Sequence, residues 1–237
     1  MTGHALIVGA SSGIGRALAE RLAPKMAVTA LARRADRLES LAAMGVETIA
    51  CDASQSDMLE QAVQQAVARN GKVSSMVYCA GMQKIKPLRL TKPAEIAELL
   101  RINLEAPLIL GGLFTSRRVS TDDAVFCAVS SIAAARPEPG IVAYAAAKAG
   151  LDAMVKGLAR EAAPRRAVAV APGWLDTEMT QAYASIYGEQ FRSDLERSSP
   201  RGIATVNAVV DCIEFLLSPS AAFITGEVVR VDGGAAL

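Results

Sequence analysis

A tyrosine and a lysine stand four residues apart in the segment YAAAK, at Tyr144 and Lys148. Residues four apart lie on one face of an α-helix, and the alanines between them favour the helix while leaving both polar groups uncovered. A tyrosine ordinarily titrates near ~10, and a neighbouring ammonium favours the phenolate. The spacing therefore predicts a phenol with a lowered pKa that exchanges a proton with a substrate. The alternative is a tyrosine at the edge of the core and a lysine in solvent.

A pair of serines ends the apolar run AVFCAVSS, and the second of them, Ser131, precedes Tyr144 by thirteen residues. If the run is a strand of a parallel sheet, Ser130 and Ser131 lie at its carboxyl end, where such sheets bind ligands. A hydroxyl donor, a phenol and an ammonium can converge there on a carbonyl oxygen. Such a set transfers a proton without a histidine.

The composition argues against several other kinds of site. The only histidine is His4, and the cysteines are widely separated at Cys51, Cys79, Cys127 and Cys212. No metal site and no Ser–His triad is expected, and the cysteines are expected to be free thiols in a reducing compartment. A formal net charge of +1 without a basic block argues against nucleic-acid and membrane-surface partners. With no apolar run of ~18 residues and no signal peptide, the chain is expected to be cytoplasmic.

Short apolar runs alternate with helical patterns along the 237 residues. This alternation predicts one doubly wound α/β domain, with a seven-stranded parallel sheet covered by helices on both faces. The predicted strands cover residues 4–9, 26–32, 46–50, 73–80, 124–131, 167–172 and 227–232. The predicted helices cover residues 13–23, 35–43, 55–69, 93–118, 141–163 and 205–217.

The segment 176–204 fits this alternation least well, because it consists of short amphipathic pieces that end in a polar stretch with proline and glycine. A long excursion in a compact domain is often a lid over a substrate. Its apolar side chains would suit an apolar substrate, but they would equally serve as core or as a subunit contact. These side chains are Met179, Tyr183, Ile186, Tyr187 and Phe191.

The first predicted strand leads directly into the turn GASSGIG. Glycine permits a tight turn and a close approach to a pyrophosphate, and the helix that follows points its free N–H groups at the anion. An ordinary serine-capped turn is the alternative, but a position after the first strand of a parallel sheet favours a dinucleotide site. The residues of this candidate phosphate cradle are Gly9, Ser11, Ser12, Gly13, Ile14 and Gly15.

The end of the second strand indicates which dinucleotide binds. NAD sites usually place an acid about 20 residues beyond the glycines, but here Arg33 and Arg34 stand at that place and Asp36 lies further out. A guanidinium group suits a 2′-phosphate, so NADP(H) is favoured over NAD(H). Arg33 is preferred over Arg34 as the residue that contacts this phosphate. The alternative is that both arginines are solvated surface charges. After the third strand, Asp52 and Ala53 are expected at the adenine, although Asp52 could instead cap the next helix.

In combination, GASSGIG, Ser131, YAAAK and the later PGWLDT resemble the short-chain dehydrogenase/reductase family, and the likeness runs from residue 4 to the terminal VDGG. The resemblance implies a Rossmann fold in which Tyr144 is the general acid of carbonyl reduction and Ser131 polarises the carbonyl. It implies that Lys148 binds the nicotinamide ribose and lowers the pKa of the tyrosine. It also implies that Asn103 holds a water of a proton relay, with a structural hydrogen bond to a neighbouring carbonyl as the alternative.

The family usually has Asn-Asn-Ala-Gly after its fourth strand, whereas this chain has Tyr78 and Cys79 in place of the two asparagines. Two amides that would brace the central sheet are therefore missing. The remaining cofactor contacts that the resemblance implies are Ala80, Gly81, Pro172, Gly173 and Thr177.

The overall pattern is most similar to that of 3-oxoacyl-carrier-protein reductases, which implies NADPH-dependent reduction of a carrier-linked ketone. Arg117, Arg118 and Arg136 are candidates for holding an acidic carrier, with solvated surface charges as the alternative. Two other functions stay open: conversion of a free small alcohol, sugar or cyclic ketone, and nicotinamide binding by a regulator without turnover. The resemblance also implies a homotetramer, or a homodimer, in which the helices at 93–118 and 141–163 pair between subunits.

Overall fold

One parallel sheet organises the chain. The computed structural model describes residues 3–181, 193, 194, 197 and 199–237. Within these residues, seven strands pair in the order β3-β2-β1-β4-β5-β6-β7. The strands are β1 (His4–Val8), β2 (Ala27–Ala32), β3 (Glu47–Ala50), β4 (Val73–Tyr78), β5 (Ser120–Val129), β6 (Arg166–Pro172) and β7 (Val228–Val231).

Helices follow the strands and cover both faces of the sheet. They are α1 (Gly13–Leu22), α2 (Glu39–Ala42), α3 (Ser56–Asn70), α4 (Pro93–Leu100), α5 (Ala106–Thr115), α6 (Val142–Glu161), α7 (Glu178–Gln181) and α8 (Val206–Leu217). A π-helical segment, Arg101–Glu105, joins α4 to α5. In the described part of the chain, no helix is long and apolar enough to cross a membrane.

The core lies in two layers, one on each face of the sheet. Ala5 and Ile7 of β1 point into the layer that contains α1 and α8, whereas Leu6 and Val8 point into the layer that contains α3, α5 and α6. Every residue of β1 is buried. A strand buried on both faces needs apolar side chains at consecutive positions, which explains the nearly continuous apolar runs of the sequence.

The predicted strands and their order of alternation are confirmed, but the elements differ in some places. The helix predicted over 35–43 is a 3₁₀ turn, Asp36–Leu38, followed by α2. Strand β5 begins at Ser120, four residues before its predicted start, because its pairing with β4 shifts register between Val73 and Ser75 and the exposed Asp122 and Asp123 interrupt the apolar pattern. The helix predicted over 93–118 contains the π-helical segment and ends at Thr115. A π turn has no distinct hydrophobic period in a sequence.

The strand order reverses between β1 and β4, which lie side by side in the middle of the sheet. From β1 the chain proceeds outward through β2 and β3, and from β4 it proceeds outward on the other side through β5, β6 and β7. The connections that leave the carboxyl ends on the two sides of this point therefore run in opposite directions and leave a crevice, which is where doubly wound sheets bind ligands.

Candidate active site

A cavity of about 590 Å³ occupies this crevice. It is lined by loops that follow strands β1 to β7, and its volume is within the usual range of small-molecule sites. Nearly all the residues predicted to touch substrate or cofactor line it: Gly9, Ser11, Ser12, Gly13, Ile14, Arg33, Arg34, Asp52, Ala53, Ala80, Gly81, Ser131, Tyr144, Lys148, Pro172, Gly173 and Thr177. Of the predicted set, Gly15 and Asn103 are not part of the lining.

The glycine turn has the backbone geometry of an anion cradle. Gly9 and Gly13 have φ values of 92° and 52°, a region that suits glycine. A Cβ on Gly9 would lie 2.5 Å from the nitrogen of Ala80, and a Cβ on Gly15 would lie 2.3 Å from the carbonyl oxygen of Gly9. Ser12 is the N-cap of α1, but its side chain makes no capping hydrogen bond. The N-terminus of α1 is therefore not capped by a serine side chain, as the alternative interpretation of this turn required. Its free N–H groups fit the binding of a pyrophosphate.

One arginine is tied to this turn. Arg34 donates hydrogen bonds from Nη2 to the hydroxyl oxygens of Ser11, at 3.1 Å, and Ser12, at 3.5 Å. Arg33 is exposed and also lines the cavity. The structure thus joins Arg34 to the glycine turn and leaves Arg33, which the sequence interpretation preferred, exposed on the cavity wall.

Asp52 shapes the loop after β3. Its Oδ1 accepts hydrogen bonds from the backbone nitrogen and the hydroxyl of Ser54, at 3.0 and 2.8 Å. The N-cap of α3 is Gln55, and no side chain caps that helix. The alternative prediction, in which Asp52 caps α3, is therefore wrong, and the carboxylate stays on the cavity wall.

Ser131, Tyr144 and Lys148 converge at the carboxyl end of β5. Tyr144 lies in the first turn of α6, where Ser131 is near enough to favour the ionised form of its phenol. Lys148 lies one turn further on, where Nζ donates to the carbonyl oxygen of Val129 at 2.8 Å and stands 5.7 Å from the centre of the Tyr144 ring. Lys148 is only 3% exposed, so the alternative of a solvated lysine is wrong.

Burial controls the protonation of both groups. It raises the pKa of Tyr144 to about 12, and the interaction with Ser131 only partly opposes this shift. It lowers the pKa of Lys148 to about 8, against the attraction of Asp152. Burial of the phenol therefore acts against the predicted lowering of the tyrosine pKa, which depends on Lys148 and a cationic nicotinamide ring together and stays a prediction. Near neutral pH the pair consists of a neutral phenol and a mostly charged lysine.

Asn103 stands behind the cavity wall, fully buried in the π-helical segment. Its Nδ2 donates to the carbonyl oxygens of Met82, at 2.7 Å, and Leu99, at 3.0 Å, and its Oδ1 accepts from the nitrogen of Met82 at 3.3 Å. The structural hydrogen bonds given as its alternative role are thus present. A Cβ on Gly81 would lie 3.0 Å from this Oδ1 and 3.7 Å from Lys148 Nζ, so the glycine leaves both polar groups facing one small space.

Tyr78 replaces the bracing that the missing asparagines would supply. Its ring is fully buried, and its hydroxyl donates to the carbonyl oxygen of Ile102 in the π-helical segment. This bond ties the central strand β4 to the segment that holds Asn103. Cys79 lines the cavity, but burial raises the pKa of its thiol to about 12, so it is not a reactive thiolate.

Sequence reasoning missed two acidic residues at the site. Asp152 accepts a hydrogen bond from Ser130, and its charge favours the charged form of Lys148. Its position four residues after Lys148 on the same helix was a usable signal. Glu178 pairs with Arg34 and Arg37, and no spacing rule reveals a contact across 141 residues of chain.

The three arginines proposed for a carrier lie in different places. Arg117 and Arg118 precede the amino end of β5, so they lie at the opposite edge of the sheet from the cavity of the same chain, where Arg117 pairs with Asp122. The prediction that Arg117 and Arg118 lie near the site is therefore wrong within one chain. Arg136 does line the cavity, and its Nη1 donates to the carbonyl oxygen of Ala235 at 2.7 Å.

Only part of the candidate lid lies among the described residues. Tyr183, Ile186, Tyr187 and Phe191 lie outside the described residues, and Met179 lies in α7. Among the described residues, no group of three or more His, Cys, Asp or Glu side chains could hold a metal ion.

Known proteins share this architecture over nearly the whole chain. The family model described as "Enoyl-(Acyl carrier protein) reductase" matches residues 9–236. A 3-oxoacyl-[acyl-carrier-protein] reductase of Staphylococcus epidermidis is 30% identical over 244 residues, which cover 99% of each chain.

Two solved structures from Brucella melitensis have the same fold. A short-chain dehydrogenase/reductase named for glucose/ribitol dehydrogenase superposes with a TM-score of 0.91 at 29% identity, covering 98% of this chain and 96% of that one. A 3-ketoacyl-(acyl-carrier-protein) reductase complexed with NADH superposes with a TM-score of 0.89 at 27% identity, covering 99% and 98%. The chain belongs to the short-chain dehydrogenase/reductase family, whose members are oxidoreductases that bind a nicotinamide cofactor and act on CH–OH and C=O groups.

Proposed function

We propose that this chain is an NADPH-dependent ketone reductase whose substrate is a 3-oxoacyl thioester linked to a carrier protein. The proposal rests on one observation. Ser131, Tyr144 and Lys148 line the same cavity as the glycine turn. A regulator that only binds a nicotinamide has no need of a neutral phenol beside a buried ammonium.

The residues divide the reaction between them. When bound, the nicotinamide supplies the hydride that the carbonyl carbon accepts. Ser131 donates a hydrogen bond to the carbonyl oxygen and fixes its position, and Tyr144 donates its proton to that oxygen as negative charge develops. A phenolate at this buried position is costly, so the ammonium of Lys148 stabilises the charge that remains on the tyrosine.

The tyrosine must regain its proton before the next turnover. Lys148 Nζ and Asn103 Oδ1 both face the space in front of Gly81. We assign this space to a water that Asn103 positions and through which protons return. Frequent occurrence of π-helical segments at functional sites supports a role for Asn103 beyond its structural bonds.

The residues present fit a dinucleotide that carries a 2′-phosphate. The glycine turn and the uncapped N-terminus of α1 suit the pyrophosphate, and Asp52 is available to the adenine end. Arg34 presents a guanidinium at the end of β2, where an NAD site usually has an acid. The related reductase from Brucella melitensis is in complex with NADH, so the preference for NADP(H) depends on the residues of this chain.

Replacing Arg34 by alanine is expected to weaken NADPH binding by about 10- to 100-fold, because charge-assisted hydrogen bonds to the phosphate are lost. NADH, which lacks this phosphate, should lose less than about threefold. Fluorescence titration of both cofactors measures the effect, and Arg33→Ala is the matched control with the smaller expected loss. Equal losses of NADPH and NADH affinity in the Arg34 variant would contradict the assignment.

The carrier-linked substrate is supported by the relatives and by Arg136. The relative from Staphylococcus epidermidis is named as a reductase of carrier-linked 3-oxoacyl groups, and Arg136 is an exposed cation on the cavity wall. An acidic carrier would be attracted to a cation at this position.

Reversing this charge tests the substrate class. Arg136→Glu is expected to raise KM for an acetoacetyl carrier protein about tenfold at low salt, while KM for a free acetoacetyl thioester changes less than about twofold. Arg118→Glu, at the opposite edge of the sheet, is the control. If the wild-type chain turns over the free thioester as well as the carrier-linked one, a free small ketone or alcohol is the better substrate class.

We also propose a homotetramer, or a homodimer, in the cytoplasm. Leu108 is 49% exposed on α5, and a Cβ on Gly112 of the same helix or on Gly157 of α6 would meet nothing within 4 Å. An exposed apolar helix surface with small residues supports close packing of a second subunit. The four cysteines are free thiols, which supports a reducing compartment.

A further inference from the structure

An ion-pair bridge crosses the adenosine end of the cavity. Glu178 begins α7, which follows β6, whereas its partners Arg34 and Arg37 follow β2. Nη1 of Arg37 lies 2.6 Å from each carboxylate oxygen of Glu178, and Nη1 of Arg34 lies 3.6 Å from Oε2. Strands β1, β4 and β5 separate β2 from β6, so the bridge connects two walls that stand about 19 Å apart at the level of the sheet.

The bridge lies over the phosphate cradle. A Cβ on Gly13 would come within 3.9 Å of Thr177 Cγ2, the residue before Glu178. Arg34 therefore contacts the turn and the bridge with different nitrogens: Nη2 donates to Ser11, and Nη1 faces the carboxylate of Glu178. The carboxylate of Glu178 thus lies next to the guanidinium of Arg34, the group that the proposed function assigns to binding a 2′-phosphate.

We propose that Glu178 is the acidic specificity residue of this cofactor site, placed against Arg34 from α7 instead of from the end of β2. The inference rests on the proposed binding of NADP(H) at Arg34. A carboxylate beside Arg34 repels the 2′-phosphate of NADP(H), and it can accept a hydrogen bond from the 2′-hydroxyl of NAD(H), as the usual acid of an NAD site does. Glu178 therefore lowers the ratio of NADP(H) affinity to NAD(H) affinity, which Arg34 raises.

The charge state of Glu178 agrees with this role. Its hydrogen bonds and attraction to Arg37, together with the attraction of Arg34, hold the pKa of the carboxyl below its ordinary value. It is therefore an anion at any pH near neutrality. The arginine pair in turn keeps the carboxylate close to the end of β2, where the sequence itself supplies no acid.

Glu178→Gln preserves the size of the side chain and removes its charge. The variant is expected to bind NADPH about three- to fivefold more tightly and NADH about twofold more weakly, so that the affinity ratio shifts by about tenfold at low salt. Fluorescence titration without substrate gives both affinities, and adenosine 2′,5′-bisphosphate against 5′-AMP isolates the contribution of the 2′-phosphate. The shift should shrink at ~1 M salt, where exposed charges are screened.

Glu214→Gln is the matched control, because Glu214 also joins two cations, Arg21 and Lys25, but does so on the outer side of α1 and α8, away from the cavity. An affinity ratio that does not change in Glu178→Gln, or changes equally in Glu214→Gln, would overturn the inference. So would a full shift in the double variant Glu178→Gln/Arg34→Ala, since the effect must act through Arg34.

The proposed function can fail separately. If the wild-type chain binds NADH more tightly than NADPH and Arg34→Ala leaves both affinities unchanged, the assignment of NADP(H) is wrong. If Arg34→Ala behaves as expected and Glu178→Gln does not shift the ratio, only the role of Glu178 is wrong.

Discussion

Replacing Tyr144 by phenylalanine is expected to lower the rate of carbonyl reduction by about 10³-fold or more, while the affinity for NADPH changes less than about twofold. The phenol lies beside Ser131 at the carboxyl end of β5 and keeps its proton at neutral pH, since burial raises its pKa to about 12. Phenylalanine keeps the ring that packs beside Ile141 and Ala145 in this core cluster. The loss should therefore appear in kcat and not in folding.

Single-turnover oxidation of NADPH with an acetoacetyl thioester measures the chemical step directly. Tyr78→Phe is the matched control, because it also removes one hydroxyl from a buried tyrosine, but from one that lies behind the cavity and bonds Ile102. That variant should lose about 1 kcal/mol of stability with a much smaller loss of rate. Turnover by Tyr144→Phe above about a tenth of the wild-type rate would refute the assignment of Tyr144 as the acid.

The fold could be predicted because its determinants are local. The consecutive apolar residues of β1 require burial on both faces, and helical patterns between such strands require parallel crossovers. The four-residue spacing of Tyr144 and Lys148 fixes them on one face of α6, and the serine at the end of β5 must lie at the same edge of the sheet. Short-range patterns therefore place the chemical groups together before any coordinates are known.

Two properties of the site depend on long-range packing and could not be predicted in this way. The sequence reveals that an ammonium stands near Tyr144, but it does not reveal how completely both groups are removed from water, and desolvation decides the sign of the pKa shift. The sequence likewise reveals that Arg33 and Arg34 follow β2, but the side chains that contact Arg34 come from the turn after β1 and from α7.

Replacing Lys148 by methionine is the second change with a large expected effect, and it should separate activity from stability. Methionine has a similar length and no charge, so the phenolate left after proton transfer loses its stabilising ammonium, and the rate of reduction should fall by about 10²- to 10³-fold. The folded protein should tolerate the change. Burial lowers the pKa of Lys148 from 10.5 to about 8, which corresponds to a cost of about 3 kcal/mol for keeping the ammonium inside.

Loss of the hydrogen bond to Val129 opposes that gain, because an unpaired buried carbonyl costs about 1–3 kcal/mol. Lys148→Met is therefore expected to be as stable as the wild-type chain at pH 7, or more stable by up to about 2 kcal/mol. Denaturant unfolding measures this difference. A variant that unfolds several kcal/mol more easily would contradict the interpretation of Lys148 as a group retained for chemistry at the expense of stability.

The pH dependence of stability and of activity tests the role of Lys148 in two further ways. The folded pKa of Lys148 lies below that of the unfolded chain, so between about pH 8 and pH 10.5 the unfolded state binds more protons, and this lysine makes wild-type stability rise with pH in that window. Below about pH 8 the lysine is charged in both the folded and the unfolded state, and the destabilisation is complete.

Activity should change with pH in the opposite direction, because kcat should fall as the pH rises through about 8 and the ammonium is lost. Lys148→Met should lack both changes. If the variant retains the alkaline fall in kcat, a different group titrates there and Lys148 does not set the charge at the phenol.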